Sequence, residues 1–149
     1  MATIVFNTAL GRVASLAALP AANDALILIA LEASGLETDA VLRDKDDFAA
    51  VVAGSTNEQT TVGRKTLAGV AVTVDDTNDR VSISATNVTW SSPTGNPVGA
   101  VVICYDPDTT GGTDADLIPL TKHDLTWTPD GNAFTLNVSG DFYRATSSA

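Results

Sequence analysis

The sequence predicts a mainly-β (α+β) fold: a β-sandwich or partly open barrel of short antiparallel strands, with one or two short helices in the N-terminal half. Three observations predict it. Alternating Val/Thr-rich runs recur from Gly63 onward, Asp/Asn/Gly turns separate them, and one continuous apolar run, Ala25 to Leu31, sits near the start. At 149 residues, 44% of them hydrophobic and 17% charged, the chain can bury a core without disulfides or metal, and residues 1–149 read as a single domain.

The elements follow in order. After Asn7, a cap, Leu10, Val13, Ala14 and Ala17 recur at helical spacing until Pro20 stops them. The run Ala25–Leu31 is apolar throughout and bounded by Asn23-Asp24 and Ser34-Gly35, as a strand covered on both faces would be. From Thr38, another cap, Leu42, Phe48, Ala49 and Val52 lead to Gly54, which suits one or two helical turns closed by a glycine. Val70-Ala71-Val72-Thr73-Val74 and Val81-Ser82-Ile83-Ser84 form a hairpin across Asp75 to Arg80, where Asp and Asn bond their own backbone. The stripe Val70, Val72 and Val74 reads as core. Val88-Thr89-Trp90, Val98 to Tyr105, Leu117 to Leu120, Leu125 to Trp127 and Phe134 to Val138 are further strands, and Thr128-Pro129-Asp130-Gly131 closes a second hairpin.

Charge and composition exclude several function classes. A formal charge of −10, from 18 acidic and 8 basic residues, argues against nucleic acid and anionic membranes, which both draw on clustered Lys and Arg. The N-terminus lacks a basic region before its apolar residues, so no signal peptide is read, and no apolar run reaches the ~20 residues that span a bilayer. Cys104, the single cysteine, lies in Val101-Val102-Ile103-Cys104 and reads as a buried, inert thiol suited to a reducing cytoplasm.

His123, the single histidine, sits in Thr121-Lys122-His123-Asp124 without a Gly-x-Ser-x-Gly elbow, and reads as a surface or capping residue. One His and one Cys are too few for zinc, and Gly111-Gly112 is not followed by the lysine of a phosphate loop. The loop Asp106 to Asp116 is the candidate cation site, through Asp106, Asp108, Asp114 and Asp116. It places Thr110 and Gly111 as an EF-hand would, but has Leu117 where the bidentate Glu belongs, so a solvated acidic loop is the competing reading. Trp90 and Trp127 fall in strands, as core or interface anchors more than sugar platforms. No cofactor is expected, and the chain reads as a non-enzyme.

Gly63-Arg64-Lys65-Thr66-Leu67, Val72 to Arg80 with its Val-Asp-Asp-Thr-Asn-Asp-Arg stretch, Val88-Thr89-Trp90, Ala100 to Asp106 and Phe142-Tyr143-Arg144-Ala145 together carry a resemblance. The chain resembles a family of small tailed-bacteriophage virion proteins, whose members also open with a short helix of the Phe6-Asn7-Thr8-Ala9-Leu10 kind and an apolar strand. Where many relatives run into Tyr-Ile-Asp-Phe-Gly, this chain has Leu117 to Asp124 behind a longer acidic loop, so contact surfaces do not carry over there. The resemblance implies a capsid decoration or minor capsid protein on the virion surface. It would be made in the host bacterial cytoplasm, bind the major capsid protein, and be present as a homo-oligomer or in many copies around symmetry axes. The alternative is a tail fibre or tail-associated adhesion module that recognises a host glycan. Candidate contact elements are the segment Met1 to Phe6 and the loops Ser91–Pro97 and Asp106–Asp116, with Ile4, Phe6, Pro93, Asn96 and Thr110 as contact residues.

Overall fold

The computed structural model describes residues 3–147. Its ten strands form three antiparallel sheets and no closed barrel, with three short helices among the described residues. The main sheet has the order β1-β8-β7-β2-β3, from β1 (Thr3–Val5), β8 (Ile118–Trp127), β7 (Val98–Asp106), β2 (Ala25–Glu32) and β3 (Lys65–Thr66). A second sheet has the order β10-β5-β4, from β10 (Tyr143–Thr146), β5 (Arg80–Ser84) and β4 (Ala71–Asp75). A ribbon pairs β6 (Val88–Trp90) with β9 (Phe134–Leu136). None of the described helices is long and apolar enough to cross a membrane.

The unbroken apolarity of Ala25–Leu31 has the predicted cause. β2 pairs with β7 from Ala25↔Asp106 to Glu32↔Val98, and this ladder is covered on both faces. One face presents Leu26, Leu28 and Ala30 with Val101, Ile103 and Tyr105, packed under α1 (Val13–Ala17), the second sheet and the ribbon. The opposite face presents Ile29 and Leu31 with Ala100, Val102 and Cys104, packed under Phe6, Leu42, Phe48 and Val51. Leu42 belongs to α2 (Asp39–Leu42) and the last two to α3 (Phe48–Val51), whose N-cap Asp47 accepts from the Ala50 N–H at 2.7 Å. Each such side chain, taken fully out of water, contributes about 1.5–3 kcal/mol. Gly99 forms a bulge where β7 leaves the register of β2; a Cβ there would lie 2.8 Å from the Ala33 Cα.

Four expectations need correction. The helix from Asn7 is two pieces, a 3-10 turn over Asn7–Ala9 and then α1, because Gly11 adopts φ 75; this leaves Leu10 exposed. Leu117–Leu120 and Leu125–Trp127 are not separate strands: β8 runs through the polar Thr121–Asp124, and Pro119 sits at its register shift, where a missing N–H is tolerated. The turn at Thr128–Gly131 closes no hairpin, since β9 pairs with β6; it carries the chain out of the main sheet into the ribbon. Val74, read as core, is 71% exposed, while Val70 and Val72 are half-buried.

Leu31→Ala should therefore lower the unfolding free energy by about 2–5 kcal/mol, whereas Leu10→Ser should stay within about 0.5 kcal/mol of the parent. Urea midpoints of the two variants measure the contrast.

Candidate functional site

The loops that the sequence marks for contact lie at opposite ends of the main sheet. Residues 107–116 leave the C-terminal end of β7, and residues 91–97 enter its N-terminal end. β7 has nine residues, Val98–Asp106, so about 30 Å of strand separates the two clusters at ~3.3 Å per residue.

In the first cluster three of the four aspartates hold the loop's own groups and the fourth, Asp114, ties the loop to Arg64. Asp106 accepts from the Asp108 N–H at 3.0 Å; Asp108 accepts from the Thr110 N–H at 3.0 Å and from its hydroxyl at 2.5 Å. Asp116 accepts from the Thr113 N–H at 2.7 Å and hydroxyl at 3.0 Å, and Asp114 pairs with Arg64 at 2.8 Å. The Thr110 hydroxyl and N–H hold the Asp108 carboxyl below its usual range. These carboxylates fix turns instead of converging: among the described residues no group of three or more His, Cys, Asp or Glu is placed to hold a metal ion. Thr110 is exposed, with its side chain committed to Asp108.

Arg64 anchors this cluster. Its guanidinium takes Glu58 in a two-pronged grip, at 2.8 and 2.6 Å, reaches Asp114, and lies 5.1 Å from the centre of the Phe48 ring. The Glu58 hydrogen bonds raise its pKa further. Only a planar fork can serve two carboxylates and a ring together.

The second cluster is held by amides and aromatics. The Asn96 side chain donates to Glu32 at 2.8 Å, and the Asn96 backbone carbonyl accepts from the Gln59 side-chain amide at 2.9 Å. Gly95, at φ 116, lies so close to that amide that no Cβ fits. The Gly131 N–H donates to the Pro93 carbonyl at 2.8 Å, fastening residues 128–133 to residues 91–97. Beneath them Trp127 and Phe134 stack at 4.2 Å and 15°, and Trp90 leans on both, at 5.3 and 6.1 Å. Trp90 is buried and Trp127 half-buried, so both serve mainly as anchors of the ribbon on the sheet.

The predicted contact residues divide accordingly. Asn96 and Thr110 are exposed at opposite ends. Phe6 is wholly buried against Leu42 and Phe48, and Pro93 is buried, so neither side chain can meet a partner. Ile4 is half-buried in β1, whose pairing with β8 ties the N-terminal segment into the sheet. Met1 and Ala2 lie outside the described residues.

β8 holds what sequence reasoning missed. His123 is 2% exposed, not a surface or capping residue, and lines a cavity of about 240 Å3 with Leu28, Val101, Ile103 and Phe142. Its Nε2 lies 3.0 Å from the Thr121 hydroxyl, the Phe142 ring meets it edge-on, and burial pushes its pKa down to about 4. Lys122, 3% exposed on the opposite face, binds Asp39 at the start of α2 at 2.6 Å and also Asp124. Cys104 shares the Lys122 side of the sheet, so the thiol and the imidazole cannot pair; burial raises the thiol pKa strongly. In the sequence Thr121-Lys122-His123-Asp124 is an unbroken polar stretch, which carries no local sign of a buried strand.

No protein-family model, curated protein or solved structure matches the chain.

Two measurements follow. Because the folded protein holds His123 neutral down to about pH 4 while the unfolded chain protonates it near 6.5, the unfolded state binds more protons between those values. The histidine contribution to stability should therefore decline as the pH falls from about 6.5 and level off below about 4; denaturation midpoints across that range, with the imidazole NMR shifts, read it out. Arg64→Lys should cost roughly 1 kcal/mol, given the partial exposure of the pairs, and should speed amide exchange in residues 110–116 more than in β2.

Proposed function

We propose that this chain is a non-enzymatic bacteriophage structural protein that decorates the outside of the capsid, bridging neighbouring major-capsid subunits. The observation that carries the reading is the placement of two pinned, exposed loop clusters at opposite ends of one rigid strand, β7. A domain that grips neighbours through both ends needs surfaces ordered before contact, since ordering loops on binding subtracts from affinity. The carboxylate and amide staples supply that order. Repetition over a symmetric shell then multiplies modest contacts. The family resemblance of the hairpin and the tyrosine strand supports the same reading.

The chemistry of the remaining reactive groups agrees with a structural role. Burial keeps the Cys104 thiol protonated, and His123 is buried in a cavity lined by Leu28, Val101, Ile103 and Phe142 together with Asn137 and Asp141, its Nε2 within reach of the Thr121 hydroxyl. The net charge of −10 suits a protein held at high local density, and favours a partner face that is neutral or basic.

Quantitative mass spectrometry of purified particles should find the chain in many copies, in stoichiometric proportion to the major capsid protein. Particles lacking it should assemble and then lose DNA at a lower temperature or under milder osmotic shock. A handful of copies per particle, with unchanged shell stability, would transfer the chain to a tail or vertex.

A further inference from the structure

The sheet edges are not equally protected. β3 carries Lys65, β10 carries Arg144, and β1, β6 and β9 have three residues each, all devices that discourage edge pairing. β4 is five residues long and carries no basic residue; its one charge, Asp75, closes its end and is paired with Arg80 of β5. The strand pairs with β5 alone, and the chain is uncharged from Thr66 through Val74. Val74 is the most exposed large apolar side chain among the described residues, at 71%. Beside the edge, Ala17, Ala18, Pro20, Val70 and Val72 line a charge-free groove of about 530 Å3, with Leu19, 53% exposed, next to it in sequence.

We infer that β4 is a self-association edge, pairing antiparallel with β4 of a second copy about a two-fold axis at Thr73. The sequence of the strand is what selects a second copy as the occupant. Antiparallel pairing about Thr73 sets Val72 opposite Val74 of the other copy, and Val74 opposite its Val72, on the same face of the sheet. That face is the one on which Val72 packs toward the core, so the exposed Val74 of each copy is carried toward the charge-free groove of the other. The same register sets Asp75 opposite Ala71 and keeps the two Asp75 carboxylates apart, so a chain of net charge −10 meets itself where no like charges face each other. An isologous contact of this kind closes as a dimer and leaves both loop clusters of each copy free.

Sedimentation velocity of the full chain should show a concentration-dependent species of twice the 15.3 kDa chain mass. Val74→Lys, a change at an exposed position, should abolish that species and leave the thermal midpoint unchanged at dilutions where the parent too is monomeric. Thr73→Cys should give a covalent dimer on mild oxidation, because Cys104 is buried and does not compete. A parent protein that stays monomeric at every concentration overturns the inference, as does a dimer that survives Val74→Lys. A dimer lost in Val74→Lys but never cross-linked by Thr73→Cys overturns the Thr73 axis. None of these results bears on the copy number in particles, so self-pairing and shell binding stand or fall separately.

Discussion

Burial of the β2–β7 ladder on both faces is the constraint from which the rest of the architecture follows. A two-sided apolar strand pair cannot be left half-covered, because each uncovered Leu or Ile returns about 1.5–3 kcal/mol of transfer free energy to water. The segment between β2 and β3 therefore folds back as α2 and α3 over Ile29, Leu31, Val102 and Cys104. α1, the β4–β5 hairpin, the ribbon and Phe142 close over Leu28, Val101 and Ile103. The helices are short because their task is to cap one face of a sheet; none has the length to be stable alone.

Once both faces are occupied, the ends of the strands and their loops are left to meet solvent. Acidic side chains that could have spread as a diffuse negative surface are instead spent locally. Asp75 accepts from the Thr77 and Asn78 N–H groups and from Arg80, and Asp130 holds Asn132, in the same way that Asp108 and Asp116 hold their own turns. The few cations are placed where one charge restrains several elements: Arg64 joins Glu58, Asp114 and Phe48, and Lys122 joins β8 to α2. A buried ammonium without its two carboxylates would be costly, so the position of α2 and the burial of Lys122 depend on each other. The outcome is a fold whose exposed loop ends are held by their own carboxylates and amides and whose β4 edge is left bare.

Local chemistry that depends on neighbours in sequence was legible before the fold was known. The two-faced strand at Ala25–Leu31, the Asp-rich hairpin and the buried cysteine follow from hydrophobic period and turn residues, and the structure has each of them; the helical cover ahead of Gly54 is there as two separate turns, with Val52 and not the glycine at the C-cap of α3 and no side-chain bond from Thr38. The candidate contact residues were less legible. Asn96 and Thr110 lie on exposed loops as expected, but Phe6 and Pro93 are buried by partners far along the chain, and nothing in their own neighbourhood announces it.

What the sequence by itself determined is the class of the fold and its local chemistry: mainly β, antiparallel, with acidic turns that fix themselves. Only the tertiary structure decided how those elements pair and which polar residues go inside. Thr121-Lys122-His123-Asp124 reads as a polar connection because periodicity weighs each residue by its own solvation. In the fold it is the middle of β8, since Lys122 finds Asp39 from 83 positions away and His123 meets Phe142. In the same way Val74 belongs to a core stripe by alternation, yet the sheet ends at β4 and no neighbouring strand covers it. Both outcomes turn on long-range partners, whose contribution no local pattern encodes.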